Sequence, residues 1–300
     1  MMRVTTPATT RGTTRVAMRA QAKLNLWLRV LAKEESGYHT IETLFHRVEL
    51  ADEVAVTLTG SGERTIACSE DVGPAHENLA YRAASLYCEA TDWPTGFHIG
   101  INKRIPAGGG LGGGSADAAA TLVALNAMSP RPQDAGELAE MGTQIGADVP
   151  FLLSDAPAAL AWGRGNRMLT LPALPQKHVA LVVPAFGLST AEVYQSGVLG
   201  QARGPERLSP GDLADWDRIA ALAGNDLGGS PVVRRHSQLA HAVGALRAAG
   251  AIMAEMTGSG SVLFGVFDSR PDAEALAQAT GCRIMLTKTA LNVEALRRLD

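Results

Sequence analysis

Residues 106–115 read Pro106-Ala107-Gly108-Gly109-Gly110-Leu111-Gly112-Gly113-Gly114-Ser115, so six of the seven positions from 108 to 114 are glycine. Because glycine has no side chain and tolerates positive φ, several backbone N–H groups can converge there on one anion. Apolar residues after the loop predict a helix from Ser115 to about residue 127, whose N-terminal dipole would point at the same anion. The stretch therefore predicts a phosphate-binding loop, in which Ser115 either caps the helix or turns its hydroxyl toward a phosphate or Mg²⁺.

A dinucleotide-binding loop is one alternative, because Gly108, Gly110 and Gly113 satisfy the GxGxxG spacing and Asp134 follows about 20 residues later. The acidic residue of that motif belongs at the end of a second strand. Asp134 instead follows the segment 129–133, which contains two prolines and predicts no strand. The surroundings of the loop therefore disfavour a dehydrogenase.

The remaining alternatives are a Walker A loop and a flexible linker. A Walker A loop requires a lysine before its final Ser or Thr, whereas Gly114 directly precedes Ser115. A linker is unusual between a strand and a strongly apolar helix, which is the position that this loop occupies.

The composition limits the class of protein. The 300 residues are 46% hydrophobic and 19% charged, which is enough for one large or two fused domains with a substantial core. The net charge of -3 provides no basic field for nucleic acid, and no apolar run reaches the roughly 20 residues of a membrane helix. Three cysteines without a CxxC pair favour neither disulfides nor zinc. We expect a cytoplasmic protein, monomeric or homodimeric, whose partners are small molecules.

Hydrophobic periodicity predicts mixed strands and helices in both halves of the chain, and hence the α+β class. Alternation over residues 20–30 predicts a half-buried first strand. Residues 1–18 are basic and rich in threonine but lack an apolar core, which predicts a flexible extension, with a transit peptide as the alternative. The other predicted elements are strands at 54–58, 97–101, 178–183, 251–256, 262–267 and 282–287, helices at 78–90, 135–145, 191–199, 212–223, 236–249 and 271–279, a hairpin from 158, and a surface loop at 200–210.

Three further features have both an ordinary and a functional interpretation. Lys23 lies among the alternating apolar residues of the first strand, where a lysine usually faces solvent. Asp148 lies near a helix end before Val149 and Pro150, where it either forms a cap or an Asx turn, or acts as a general base. The Thr-Gly-Ser-Gly-Ser turn at 257–261 either only joins two apolar strands or offers N–H donors to a substrate phosphate.

Three separated blocks resemble the three motifs of the GHMP kinase superfamily in order and spacing. They are Ala22-Lys23-Leu24-Asn25-Leu26, residues 106–120 and residues 257–264. The resemblance implies ATP-dependent phosphorylation of a small molecule in the cleft between two lobes. It implies an N-terminal ribosomal-protein-S5-like lobe at 19–172 and a C-terminal ferredoxin-like lobe at 173–300.

Four further stretches resemble the members of that superfamily that phosphorylate the C2 hydroxyl of 4-diphosphocytidyl-2-C-methyl-D-erythritol in the non-mevalonate isoprenoid pathway. They are Ser36-Gly37-Tyr38-His39-Thr40, Lys103-Arg104-Ile105-Pro106, Gly146-Ala147-Asp148-Val149-Pro150 and Phe186-Gly187-Leu188-Ser189-Thr190. The chain departs from this pattern at Gln21, where those kinases have proline, and at Gly228, where they have glutamate. We expect the first departure to loosen the approach to Lys23.

By this resemblance, Asp148 accepts the proton of the attacking hydroxyl or mainly orients it, while Lys23 keeps Asp148 ionised and neutralises the transferring group. ATP and Mg²⁺ are the implied cofactors, and no metal ligand is assigned. The residues implied for ATP are Pro106, Ala107, Gly108, Gly109, Gly110, Leu111, Gly112, Gly113, Gly114, Ser115, Lys103, Asn78 and Leu79. Those implied for the cytidine-diphosphate-linked erythritol are Asn25, Tyr38, His39, Phe186, Thr190, Gly258, Ser259 and Gly260.

Two other functions stay open at the level of the sequence. One is another kinase of the superfamily, of the homoserine or mevalonate type, and the other is a non-catalytic sensor of ATP and a metabolite. An aromatic ring such as Tyr38 can stack on a nucleic-acid base, which is worth roughly 1–3 kcal/mol. The segments 37–39 and 186–190 therefore count against a kinase of the homoserine or mevalonate type. The joint presence of Lys23 and Asp148 counts against the second.

Overall fold

The computed structural model describes residues 14–35, 37, 39–196 and 208–299, which form two β-sheets with helices packed on them. The strands are β1 Arg15–Lys33, β2 His39–Thr59, β3 Arg64–Cys68, β4 Gly96–Asn102, β5 Ala158–Gly163, β6 Arg167–Leu171, β7 His178–Val183, β8 Gly224–Asn225, β9 Met253–Met256, β10 Leu263–Phe267, β11 Arg283–Lys288 and β12 Arg297–Arg298. The α-helices are α1 Leu79–Thr91, α2 Gly113–Met128, α3 Ala135–Ile145, α4 Val149–Leu153, α5 Thr190–Gln195, α6 Trp216–Leu222, α7 Pro231–Arg234, α8 Ser237–Ala248 and α9 Ala273–Thr280.

The first sheet is built around β1 and β2, which pair antiparallel over most of their length. Its main strand order is β12-β1-β2-β4-β3, with the β5–β6 hairpin added to β2 and the short β8 added to β1. β3 and β4 run parallel because helix α1 carries the chain back between them. Helices α1 to α4 pack against one another, and α2 lies directly against β1 and β2.

The second sheet has four antiparallel strands in the order β11-β7-β10-β9. Helix α8 packs on β9 and β10, and α9 packs on α8 and β11. With α8 as its first helix and α9 as its second, this part runs strand, helix, strand, strand, helix, strand, which is the ferredoxin-like arrangement. The predicted two-lobed α+β fold is therefore confirmed.

Strand β1 is covered on both faces, which the alternating sequence did not predict. Ala22 and Leu24 pack in one core with Leu181 and Phe264 of the second sheet. The other face of β1 lies against α2. Lys23 is consequently only 2% exposed, so its expected solvent-facing position is wrong.

The first strand also begins earlier than predicted. β1 starts at Arg15, so residues 15–18 belong to the sheet and not to the predicted extension. Val16 and Met18 are buried in the core beneath α1 and α2. Residues 1–13 of that extension lie outside the described residues.

The boundaries in the second half follow the predictions less closely. α5 ends at Gln195 with Ser196 as its C-cap, and residues 197–199 of the predicted helix lie outside the described residues, as does most of the loop predicted at 200–210. The change from the first sheet to the second falls between β6 and β7, beside the predicted lobe boundary at residue 172. However, β8 and β12 return to the first sheet and pair with β1.

Alanine allows close helix packing in the core beneath the first sheet. Ala119 and Ala120 of α2, and Ala83 and Ala84 of α1, are all at most 2% exposed. Because alanine has a single side-chain carbon, the two helices can approach closely, and a larger residue has no space to enter.

Ala119→Leu is therefore expected to destabilise the protein by overpacking, by about 1–3 kcal/mol. Urea unfolding measures this change in the free energy of unfolding. Ala127→Leu, at an exposed position of the same helix, is the matched control and should change it by about 0.5 kcal/mol or less. Equal effects of the two substitutions would contradict the close packing of α1 and α2.

Candidate active site

The glycine loop lies against the turn between β9 and β10. Gly108, Gly110 and Gly112 have φ of 68°, 78° and 72°, the left-handed region that favours glycine. A Cβ on Gly110 would lie 2.1 Å from the carbonyl oxygen of Thr257, so this position has no room for a side chain. α2 begins at Gly113, two residues before the predicted Ser115, with Gly112 as its N-cap.

The first turn of α2 corresponds to the predicted anion site, which stays a prediction. The first N–H groups of a helix have no partner within the helix, and they carry the positive end of its dipole. In α2 these groups belong to the residues from Gly113 to Ser115, directly after the loop. Leu79 borders this turn, because a Cβ on Gly114 would lie 3.4 Å from its Cδ1.

Lys23 is fixed by acceptors from three separate elements. Its Nζ donates to Oδ1 of Asn25 at 2.7 Å and to the carbonyl of Gly110 at 2.9 Å. The same Nζ lies 3.3 Å from Oδ2 of Asp148. The β1–β2 register shifts on both sides of this segment, between Gln21 and Lys23 and again after Asn25, and such bulges re-aim side chains.

Asp148 faces the cleft at the start of α4. It occupies the N-cap position, yet its carboxylate accepts no capping hydrogen bond from α4, all of whose residues the structure describes. Its side chain is 30% exposed beside the buried Lys23. Val149 is the first residue of α4, and Pro150 fits in this first turn because its missing N–H is not needed there. The capping interpretation of Asp148 is therefore wrong, and the functional one stays open.

Asn25 lies behind Lys23 and not at the open side of the cleft. It is 2% exposed, and its Nδ2 donates to Oγ1 of Thr43 at 2.8 Å. Its backbone N–H donates to Oγ1 of Thr257, which ties β1 to the turn at 257–261. The predicted contact of Asn25 with substrate hydroxyls stays a prediction.

The turn at 257–261 joins the predicted substrate residues of the second lobe. Ser259 and Thr190 are hydrogen-bonded through their hydroxyls at 2.8 Å, which anchors the start of α5. Gly258 and Gly260 have φ of 54° and 82°. The hydroxyl of Ser261 donates to the carbonyl oxygen of Phe186. The turn thus brings Thr190 and Phe186 to the same side of the cleft as the glycine loop.

Two aromatic pairs line this side of the cleft, and the sequence analysis missed one member of each. The ring of Phe186 stacks on His236 with centroids 4.4 Å apart, and the ring of His39 lies 5.3 Å from that of Tyr194. Burial, and after it the charge of Asp148, raise the pKa of Tyr194, so its phenol lies within electrostatic range of that carboxylate. Tyr38 lies outside the described residues. No motif marks His236 or Tyr194 in the sequence, because only the folded cleft brings them to the predicted residues.

The predicted adenosine-side residues have clear local partners. Asn78 caps α1, accepting from the N–H of Ala80 at 2.9 Å, and its Nδ2 lies 3.7 Å from Sγ of Cys68. The Nζ of Lys103 is bound by two carboxylates, 2.5 Å from Asp52 and 2.7 Å from Asp117. Contact of either residue with adenosine stays a prediction.

Two carboxylates share one ammonium in this cluster, and all three side chains are at most 5% exposed. Burial raises the pKa of Asp117 to about 7; Lys103 opposes the shift and Asp52 adds to it. Burial lowers the pKa of Lys103, but the two carboxylates outweigh it and raise that pKa. One lysine can neutralise only one of two acids at a time, so the raised pKa of Asp117 agrees with its buried place beside a second carboxyl group.

The chain resembles known proteins in both of its halves. The family described as "GHMP kinases N terminal domain" matches residues 78–160, and "GHMP kinases C terminal" matches residues 207–283. A 4-diphosphocytidyl-2-C-methyl-D-erythritol kinase of Pelotomaculum thermopropionicum is 40% identical over 282 residues, covering 90% of this chain and 96% of that protein. The chain belongs to this kinase family.

Other members and neighbours agree with that assignment. A 4-diphosphocytidyl-2-C-methyl-D-erythritol kinase of Geobacter sp. strain M21 is 38% identical, covering 86% of this chain and 91% of that protein. A crystal structure of 4-(cytidine 5'-diphospho)-2C-methyl-D-erythritol kinase superposes with a TM-score of 0.73 at 37% identity, covering 91% and 99% of the two chains. A homoserine kinase from Cytophaga hutchinsonii, at 16% identity and a TM-score of 0.68 over 98% of this chain and 99% of its own, shares the fold alone.

Gln21 replaces the proline of the 4-diphosphocytidyl-2-C-methyl-D-erythritol kinase pattern, and its side chain is hydrogen-bonded to the segment at 292–294. It is 3% exposed; its Nε2 donates to the carbonyl of Asn292 at 3.1 Å, and its Oε1 accepts from the N–H of Glu294 at 3.2 Å. The expected loosening near Lys23 is not seen, since the N–H of Lys23 donates to the carbonyl of Leu111 at 3.0 Å.

The second departure from the family pattern lies in a short 3-10 turn at Asp226–Gly229. Open space adjoins the missing Cβ of Gly228, so the turn does not require glycine there. The preceding Asn225 donates from Nδ2 to the carbonyls of Met256 and Gly258, each at 2.7 Å. This segment of the kinase therefore supports the turn at 257–261 through Asn225.

In the described part of the chain, none of the helices has the length and apolar character needed to cross a membrane.

Asp117→Asn is expected to flatten the pH dependence of stability. The pKa of the Asp117 carboxyl is about 3.9 in the unfolded chain. Burial raises this pKa to about 7 in the folded protein. Protonation thus favours the folded state, and the wild type loses this contribution as the pH rises from about 4 to about 7. Asparagine is never charged, so the melting temperature of the variant relative to the wild type should rise over this range in thermal melts.

The exposed Asp155 provides the control, since Asp155→Asn should shift the melting temperature by the same small amount at every pH. A difference between wild type and Asp117→Asn that does not change with pH would contradict the raised pKa.

Proposed function

We propose that this chain transfers the γ-phosphoryl group of ATP to the C2 hydroxyl of 4-diphosphocytidyl-2-C-methyl-D-erythritol, a step of non-mevalonate isoprenoid precursor biosynthesis. The observation that carries the proposal is the contact between Lys23 and Asp148 at the glycine loop, 3.3 Å from nitrogen to oxygen. This pair stands where the phosphate donor and an acceptor alcohol would meet. Membership of the family supplies the identity of the alcohol.

The phosphate donor is held by the glycine loop and the first turn of α2. Positive φ at Gly108, Gly110 and Gly112 is the backbone conformation that allows loop N–H groups to converge on an anion, and the dipole of α2 adds to the attraction for a triphosphate. Lys23 contributes a cation behind the loop, since a Cβ on Gly112 would lie 3.1 Å from its Cε. These groups stabilise the negative charge that spreads over the transferring phosphoryl group.

Asp148 acts on the acceptor. The hydroxyl oxygen attacks the γ-phosphorus, the bond from that phosphorus to the β–γ bridging oxygen breaks, and ADP leaves. The proton of the hydroxyl passes to the carboxylate of Asp148, which the ammonium of Lys23 stabilises as an anion before the transfer. Because the transition state is loose, the placing of the hydroxyl by Asp148 contributes along with the removal of its proton.

Mg²⁺ fits this site as an ion held mainly by the nucleotide. In the described residues, no group of three or more His, Cys, Asp or Glu side chains is placed to hold a metal. Mg²⁺ typically binds through substrate phosphates, waters and one or two protein oxygens. The hydroxyl of Ser115, in the first turn of α2, is the protein oxygen that would hold it. When bound, it neutralises charge on the β- and γ-phosphates.

The aromatic side chains at the cleft support a cytidine-containing substrate over the smaller substrates of homoserine or mevalonate kinases. His39 and Phe186 lie in two aromatic pairs, with Tyr194 and His236, and Tyr38 adjoins His39 in the sequence. Such rings stack on a base, and neither homoserine nor mevalonate contains one. A cytoplasmic location and a monomeric or homodimeric state belong to the same proposal.

A coupled assay of ADP release tests the function directly. We expect turnover with 4-diphosphocytidyl-2-C-methyl-D-erythritol and none above background with homoserine or mevalonate. Turnover with one of the latter alone would replace the proposal by that kinase. Binding of ATP without turnover on any of them would indicate a sensor.

Asp148→Asn is expected to lower kcat by about 10²–10⁴-fold, the usual range for a general acid–base group. The dissociation constant for ATP should change by no more than about twofold, because the loop and α2 are unaffected. Single-turnover kinetics and calorimetric titration of ATP measure the two quantities, with Asp155→Asn as the control. Turnover above about a tenth of that of the wild type would remove Asp148 from the catalytic role.

Tyr38→Ala, His39→Ala and Phe186→Ala should each raise KM for the cytidine substrate about tenfold, because each loses roughly 1–3 kcal/mol of stacking or edge contact. KM for ATP should stay near the wild-type value. His241→Ala, an exposed histidine on α8, is the control. A change in KM for ATP alone would place these side chains at the wrong end of the cleft.

A further inference from the structure

The glycine loop needs a device that holds its two ends. Six glycines in seven positions give a segment with unusually high conformational entropy in the free chain. An anion site made of backbone N–H groups works only when those groups already point inward, because otherwise binding must supply the ordering cost. Side chains at the two ends of the loop can hold its N–H groups in that orientation.

Asp52 holds the segment that leads into the loop. This residue of β2 is 0% exposed, and its Oδ1 accepts from the N–H of Arg104 and from that of Ile105, the latter at 2.8 Å. Its Oδ2 accepts from the ammonium of Lys103. One carboxylate thus fixes three consecutive residues directly before Pro106.

Asp117 holds the segment that leaves the loop. It lies on α2, one turn after the first helical residue Gly113, and its Oδ2 accepts from the ammonium of Lys103 at 2.7 Å. A Cβ on Gly113 would lie 3.5 Å from that ammonium and 3.0 Å from Cγ2 of Ile105. The two ends of the loop are therefore in contact, and the ammonium of Lys103 joins them.

We propose that Asp52, Lys103 and Asp117 form a loop clamp that closes the base of the glycine loop and thereby sets the affinity for ATP. Asp117 and Lys103 act in it as positioning residues, since they work through the loop. The inference rests on the proposed function only in taking ATP as the ligand of that loop.

Stability alone does not account for the loop clamp. Buried ion pairs are often replaced by apolar residues without loss, because desolvation offsets their attraction. Here two carboxylates share one ammonium, and Oδ1 of Asp117 has no hydrogen-bond partner among the described residues. A buried acceptor without a partner is destabilising. Because this arrangement is unfavourable for stability, its role is to hold the two ends of the glycine loop in one geometry.

The experiment compares Asp117→Leu with Asp117→Asn. Leucine has the same branching at Cγ, is somewhat larger and has no acceptor, whereas asparagine is nearly isosteric and keeps an oxygen that accepts from Lys103. Calorimetric titration with ATP, in the absence of a second substrate, gives the dissociation constant. Hydrogen exchange of the amides at 108–116 reports the order of the loop.

We expect Asp117→Leu to weaken ATP binding at least tenfold, about 1.4 kcal/mol, and to speed exchange at 108–116. At saturating ATP, kcat should stay within about threefold of the wild type, because Lys23 and Asp148 are unchanged. Asp117→Asn should bind ATP within about twofold of the wild type and protect the loop amides equally.

Asn126→Ala is the matched control, at the other end of α2. Its Nδ2 donates to the carbonyl of Gln133 and its Oδ1 accepts from Tyr87, so its loss destabilises the helix far from the loop. ATP affinity should be unchanged. Should leucine at position 117 prevent folding, Asp117→Ala replaces it in the same comparison.

The loop clamp is overturned if Asp117→Leu, or its alanine substitute, binds ATP as tightly as the wild type. It is equally overturned if Asn126→Ala weakens ATP binding as much. Both results concern ATP alone, so a chain that binds ATP yet does not phosphorylate the cytidine substrate would refute the proposed function and leave the loop clamp standing.

Discussion

The buried ammonium of Lys23 is the interaction on which the rest of the site depends. An ammonium removed from water is costly unless acceptors replace its hydration. Asn25, the carbonyl of Gly110 and Asp148 supply those acceptors from β1, the glycine loop and the start of α4. Because they come from three separate elements, satisfying one charge fixes a strand, a loop and a helix relative to one another. The position of the glycine loop, the proposed site of the phosphate donor, relative to Asp148, the proposed partner of the acceptor hydroxyl, follows from that one requirement.

Features that depend on local sequence were predictable. The glycine loop, the helix after it and the hairpin from β5 to β6 each follow from residues that are close in the chain. Glycine content and apolar periodicity report directly on backbone freedom and on burial, so these elements could be predicted from single segments. The partnership of Lys23 with Asp148 was accessible only through the resemblance, since 125 positions separate them and neither has a local signal.

Features that depend on what covers an element were not predictable. β1 alternates like a half-exposed strand, yet one face lies against α2 and the other packs on the second sheet, which buries Lys23. Asp52 gave no signal because its role lies in accepting the N–H groups of a segment 52 residues later. Tyr194 on α5 and His236 between α7 and α8 contact predicted residues from segments with no motif. In each case the missing information is a contact between distant elements, which periodicity does not encode.

The hydrogen bonds of Gln21 have a consequence for how the protein is made. β1 emerges early from the ribosome, but Gln21 receives its partners at Asn292 and Glu294 only 271 and 273 residues later. Contacts of such long sequence separation form late in folding, because the intervening chain must be ordered first. Gln21 of the strand that carries Lys23 therefore stays without these two partners until the residues near 292 have been synthesised.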